Sequence, residues 1–154
     1  MLINILQVGG VACLIFTVLI ATVGATGIAD AVRDEQGRFR KKLTFTSALG
    51  LLLMLSFILG MLLWGNYRWI QFSDEPPTLL PLGVNAFGIF MVLHLYDLIV
   101  LDYLIIVRWH PKFLNLPDTD YYTSFRPHFI GFLRGLPLGI LLSFVAALLT
   151  IYVR

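Results

Sequence analysis

The stretch VNAFGIFMVLHLYDLIVLDYLIIVRWH, residues 84–110, determines how the rest of the chain is interpreted. It is long and apolar enough to cross a bilayer, for which about 20 residues are needed. It nevertheless contains His94, Asp97 and Asp102, and a lone charge in hydrocarbon is costly unless it is neutralised, paired or hydrated. The stretch therefore predicts a membrane helix whose polar side chains have a structural or chemical task.

The composition of the whole chain is also typical of a membrane protein. Of its 154 residues, 58% are hydrophobic and 13% are charged, whereas a soluble domain carries roughly a quarter charged residues. The apolar residues fall into four runs. We therefore predict an all-α, single-domain bundle of four transmembrane helices at residues 2–29, 43–65, 84–107 and 128–153. The single cysteine, Cys13, excludes an intrachain disulfide and a cysteine-based zinc site.

The basic residues are unevenly distributed over the predicted loops. Those in the loops after the first and third spans are Arg33, Arg38, Arg40, Lys41, Lys42, Arg108, Lys112 and Arg126. Only Arg68 and Arg154 lie on the other side. Because loops rich in Lys and Arg stay in the cytoplasm, we predict a multi-pass protein of the cell membrane with both termini on the non-cytoplasmic side. Basic loops also suit an anionic lipid surface, and nothing in the sequence indicates nucleic-acid binding.

An α-helical wheel places the polar residues of the third span on two sides. At about 100° per residue, Asp97 lies about 60° to one side of His94 and Asp102 about 80° to the other. His94 and Asp97, which are three residues apart, can share a proton, bind a metal ion or join two helices by a hydrogen bond. A metal site needs three or four ligands, so two residues assign no metal.

Arg134, inside the fourth span, is the predicted partner of Asp102. Counted from the ends of the predicted spans, the two residues lie about 8 Å and about 9 Å deep on the same side. Their charges are opposite, so we predict an intramembrane ion pair; the alternative is that Arg134 extends to the interface. Arg108, His110 and His128 are further candidate site residues at the cytoplasmic face.

The run HLYDLIVLDYLIIVRWHPKFLNLP, residues 94–117, resembles a group of uncharacterised small four-span prokaryotic integral membrane proteins. The residues that carry the resemblance are Asp97, Asp102, Pro111, Phe113, Pro117, His128, Gly131 and Gly135. It covers the second half of the chain. The resemblance implies a four-span membrane protein and brings no activity with it.

Three classes of function follow from these patterns. The first is an accessory or structural subunit of a larger membrane assembly, or a self-associating protein, indicated by small size and by small residues along the first span. The second is proton or ion handling by His94, Asp97, Asp102 and Arg134. The third is a haem-binding or redox subunit with His94 as the ligand, whose second axial ligand would come from another subunit. No nucleophile–base arrangement is evident, so we do not expect an enzyme.

Overall fold

The computed structural model describes residues 1–25, 44–73, 78–114 and 119–153. Within these ranges the chain is helical and contains no strand. It has four helices that are long and apolar enough to cross a membrane, and this part of the prediction is confirmed. The end of the predicted first span, the basic residues of the loop 30–42, Pro117 and Arg154 lie outside the described residues.

The described elements are numbered in chain order. They are α1 (Leu2–Ala25), α2 (Phe45–Gln71), α3 (Leu79–Tyr96), a π-helix (Asp97–Trp109), a 3-10 turn (Lys112–Leu114), α4 (Asp120–Thr123) and α5 (Phe125–Tyr152). The π-helix, here called the π segment, continues α3 directly, so that the two together form one membrane-length helix.

The second and third long helices extend further than predicted. α2 ends at Gln71 and α3 begins at Leu79, so much of the predicted loop 66–83 belongs to the bundle. Pro81 is compatible with this because it lies in the first turn of α3, where a backbone N–H has no partner within the helix to lose. At the start of α2, the side chain of Thr44 accepts a hydrogen bond from the N–H of Ser47, which caps the helix.

Long helices that follow one another in the chain run in opposite directions, and α3 contacts each of the other three. α1 runs parallel to α3, because Asn4 bonds to Asn85 near the start of both helices and Thr17 bonds to Tyr96 further along both. α2 and α5 run the opposite way. The bundle therefore has a termini end, where α1 begins and α5 ends, and a basic end, where the π segment ends and α5 begins.

Apolar residues occupy both the interior and the surface of the bundle. The core lies mainly between α1, α2 and α3, with Leu62 and Ile89 almost fully buried, and it extends to Ala146 of α5. The outer faces carry exposed large apolar side chains such as Leu52 and Ile140. A helix that is apolar all round is typical of a membrane span. Because α3 contacts all three of the other long helices, its polar residues can bond to side chains of each of them.

Candidate functional site

The π segment carries both aspartates of the third span. In a π-helix each N–H bonds to the carbonyl five residues earlier, and such helices are rare, short and frequently found at functional sites. The bond that closes the segment has this spacing, with the His110 N–H donating to the Ile105 carbonyl at 2.8 Å. Thirteen consecutive π-helical residues therefore mark this part of the chain as unusual.

The π winding changes the direction in which Asp102 projects. Because residues five apart are joined by a backbone bond in a π-helix, Asp97 and Asp102 lie one turn apart on similar sides of the segment. Leu98 and Leu101, their neighbours in sequence, are buried, so this side faces the bundle. The α-helical wheel was wrong here, because it assumed fewer residues per turn than the segment has.

Asp102 forms an ionic contact with His128 of α5. Its Oδ1 lies 3.0 Å from Nδ1 of the imidazole. The His128 side chain is 3% exposed and that of Asp102 is 22% exposed, so one partner is enclosed and the other is partly accessible. The second ring nitrogen of His128, Nε2, lies 2.9 Å from the carbonyl oxygen of Tyr121 in α4. His128 thus joins the π segment, α4 and α5.

The two hydrogen bonds of His128 determine where its protons lie. A carbonyl oxygen only accepts, so Nε2 must carry a hydrogen and donate it to Tyr121. Nδ1 then meets a carboxyl oxygen, and two lone pairs at 3.0 Å would repel each other. One further proton must therefore lie between Asp102 and His128, either as an imidazolium with a carboxylate or as a neutral imidazole with a carboxylic acid. In both forms the pair is neutral as a unit, which suits an apolar surrounding.

The predicted ion pair between Asp102 and Arg134 is wrong: among the described residues, Asp102 has its ionic contact with His128. The prediction failed because it assumed that Asp102 and Arg134 lie at the same depth in the bundle. Since Asp102 lies opposite His128 in the structure, Arg134 lies six residues, or about 9 Å, further along α5. Arg134 is exposed on the outer face of α5, next to the residue Gly135 that faces α3.

His94 is held against α5 by a hydrogen bond and by ring packing. Its Nε2 lies 3.0 Å from the Phe132 carbonyl oxygen and must donate to it. The imidazole lies between the rings of Phe90 and Phe132, with centroid distances of 4.9 and 4.5 Å. Gly135 leaves space for it, because a Cβ there would come within 2.8 Å of Nε2. This arrangement joins α3 to α5 through the His94 side chain.

The contacts of His94 argue against its predicted role as a haem ligand. The Nε2 atom is engaged with a carbonyl, and aromatic rings cover the imidazole on two sides. A haem iron at Nε2 would have to replace the hydrogen bond and displace α5. The residues present do not fit a haem at this position. Among the described side chains, no group of three His, Cys, Asp or Glu residues could hold a metal ion.

A chain of buried amides at the termini end joins all four long helices. Asn4 of α1 donates to the Oδ1 of Asn85 in α3 at 3.1 Å. Asn85 donates to the Oδ1 of Asn66 in α2 at 3.0 Å, and Asn66 donates more weakly to the Oγ1 of Thr150 in α5 at 3.5 Å. Asn66 and Asn85 are fully buried. We call these four residues the amide chain.

Sequence reasoning missed the amide chain, although a signal was present. Asn66 was assigned to a loop, and Asn4 was overlooked near the start of the first span. With α2 extended to Gln71, Asn4, Asn66, Asn85 and Thr150 all lie within a few turns of the same end of the bundle. Four hydrogen-bonding side chains at one depth, one on each helix, would have indicated contacts between helices.

The remaining candidates at the basic end have different roles. Arg108 is exposed. His110 ends the π segment in a left-handed conformation with φ of 46°, and its Nδ1 lies 3.1 Å from the Ile106 carbonyl oxygen. Pro111 follows and prevents the helix from continuing. Of the three candidates predicted for this face, His128 is brought into ionic contact with an aspartate of the third span, Asp102.

The site thus consists of an acid–histidine pair that joins the π segment to α5, in a chain whose described residues form a bundle of membrane-length helices. Comparisons with family models, curated proteins and solved structures found no match to this chain.

Proposed function

We propose that this chain is a multi-pass integral protein of the cell membrane with both termini on the non-cytoplasmic side. The four membrane-length helices, with mean hydropathy of 2.1 to 2.3 in their apolar windows, support insertion. The excess of basic residues in two predicted loops supports the orientation. In a Cys13→Ala background, cysteines placed at Gly37 and at Thr78 should react with an impermeant reagent from opposite sides. Reaction of both from one side would refute the topology.

Within the membrane, the function best supported is that of an accessory or structural subunit of a larger assembly, bound through the outer face of α2. The observation that carries this proposal is the low burial of α2. Its apolar window is 11% buried, against 22–28% for the other three long helices. Ser56 and Gly60 lie one turn apart on its exposed side, and small residues with this spacing allow membrane helices to approach closely. No atom lies within 4 Å of the position that a Cβ of Gly60 would occupy.

Paired glycine variants test this surface. Gly60→Leu should leave the bundle folded, since the new side chain points into open space, and should weaken association with the partner. Gly10→Leu is the matched control, because Gly10 is also exposed with no atom within 4 Å of its Cβ position, but lies on α1. Native purification in mild detergent with identification of co-purifying chains is the measurement. An unchanged assembly in Gly60→Leu, or an equal loss in both variants, would contradict binding through α2.

A second function, proton handling, is favoured by the Asp102–His128 contact. The pair holds an exchangeable proton in a partly accessible position on an unusual helix. Between His94 and Asn85, the buried residues of α3, such as Ile89 and Phe90, are apolar and separate the two polar positions. This supports proton uptake from the basic end more than passage across the whole bundle.

Proteoliposomes that contain a pH-sensitive dye can test proton handling under an imposed pH gradient. Asp102→Leu should slow the change in internal pH, whereas Arg108→Gln, an exposed change at the same end, should not. Equal rates for wild type, Asp102→Leu and empty vesicles would exclude proton transfer by the chain alone.

A further inference from the structure

The outer face of α5 contains a charged residue that the bundle does not use. Arg134 is exposed and makes no ion pair or hydrogen bond with another described residue. Its neighbours on this face, Ile130, Leu133, Leu138 and Leu141, are apolar and between 37% and 57% exposed. An arginine surrounded by apolar surface needs an anion or water within its reach, and an anion satisfies its charge as well as its hydrogen-bond donors.

The direction of α5 determines where that anion lies. Side chains on an α-helix tilt toward the helix N-terminus, and α5 begins at the basic end. Arg134 therefore leans toward that end, over the turn that contains Gly131. Gly131 is exposed, and apart from its chain neighbours and the adjacent backbone of α5 itself, no atom lies within 4 Å of the position of a Cβ there. The missing side chain leaves an open path along the helix for the arginine.

Arg134 lies at a depth from which its side chain can reach the membrane interface. The 28 residues of α5 extend about 42 Å, while the hydrocarbon core of a bilayer is about 30 Å thick. For a helix centred in the bilayer, Arg134, nine residues after Phe125, lies about 8 Å inside the hydrocarbon boundary. A long basic side chain can cover such a distance by extending to the interface, with its stem on apolar surface. The phosphate group of a phospholipid lies just beyond that boundary.

We propose that Arg134 and the open surface of Gly131 form a binding site for the phosphate of a glycerophospholipid in the leaflet at the basic end. The guanidinium presents a planar set of donors that matches phosphate oxygens. The acyl chains lie against the flanking leucines and isoleucine. The inference rests on the proposed membrane insertion; failure of insertion itself would appear separately, as a protein that stays in solution without detergent.

Native mass spectrometry of the purified full chain in detergent can test the site. The probes are phosphatidylglycerol, phosphatidylcholine and a diacylglycerol with the same acyl chains. The two phospholipids should remain bound and diacylglycerol should not. Arg134→Gln should lower phospholipid affinity about tenfold, the typical effect of one charged hydrogen bond. Arg134→Lys should retain most of the binding.

Gly131→Ile supplies a second variant that keeps the arginine. It should weaken phospholipid binding by filling the path, while Gly131→Ala should have a smaller effect; circular dichroism confirms that each variant is folded. Equal retention of diacylglycerol, or unchanged phospholipid binding in both Arg134→Gln and Gly131→Ile, would overturn the proposal. Displacement of lipid by inorganic phosphate would identify a site for free phosphate instead. Release of a co-purifying polypeptide, but no lipid, from Arg134→Gln would assign the arginine to a protein carboxylate.

Discussion

Replacing Asn85 by leucine, which is similar in size, should remove the centre of the amide chain and destabilise the bundle. Asn85 is fully buried, donates to Asn66 at 3.0 Å and accepts from Asn4 at 3.1 Å. Each hydrogen bond between membrane helices contributes about 0.6 kcal/mol on average and about 1.7 kcal/mol at most. The substitution also leaves the buried Oδ1 of Asn66 without its donor, which costs about 1–3 kcal/mol. Asn4 keeps its bond to the Gly65 carbonyl at 2.9 Å, so it adds little to the loss.

We therefore expect Asn85→Leu to lower the free energy of unfolding by about 2–4 kcal/mol. Equilibrium unfolding in mixed micelles, followed by circular dichroism, measures this quantity. The double variant Asn66→Leu with Asn85→Leu should recover part of the loss, because no buried amide then faces the vacated position. Thr123→Val is the control, since the Thr123 hydroxyl is exposed and bonds to the Thr119 carbonyl, four residues earlier in the same segment. A loss no larger than that of the control, or strictly additive losses, would refute the reasoning.

Two further substitutions test the contacts between α3 and α5. Asp102→Asn should keep the contact with His128, because an amide can donate to the Nδ1 lone pair, whereas Asp102→Ala should lower the free energy of unfolding by about 1–3 kcal/mol. Nitrogen NMR of the His128 imidazole should show a proton on Nε2. A proton on Nδ1 alone would contradict the assigned hydrogen bonds. Gly139→Ala should cost about 1–3 kcal/mol by overpacking, because its Cβ would overlap the ring of Phe90. Gly60→Ala, in open space, should be neutral or slightly stabilising in the same unfolding assay, and equal effects of the two glycine changes would argue against a close helix contact.

The membrane-length helices were predictable because long apolar runs have few alternative structures. The residues at which these helices begin and end were harder to predict. Asn66 and Pro81 read as loop residues, yet Asn66 is buried in a helix through amide partners that come from other parts of the chain. Such partners are invisible in a local window, so the predicted span ends too early and places Asn66, one member of the amide chain, outside the bundle.

The polar residues of the third span were recognised correctly as unusual, but their partners were not. Assigning Arg134 to Asp102 required a matched depth, but Asp102 lies against His128, six residues before Arg134 along α5. The actual partner, His128, was known as a candidate but was placed at the surface, at the predicted start of a helix that begins at Phe125. Opposite charge alone did not identify the contact, because a shared proton can serve in place of a second fixed charge.

The π winding and the contact between Asp102 and His128 favour one another. If residues 97–109 adopted the bonding of an ordinary α-helix, each residue would turn through a larger angle and Asp102 would rotate away from His128. The contact therefore favours the wide helix over the narrow one. By reciprocity, whatever breaks the contact would favour the tighter winding, and whatever tightens the helix would weaken the contact. A change at one pair of side chains would thereby be expressed as a rotation and a change in length of the whole segment.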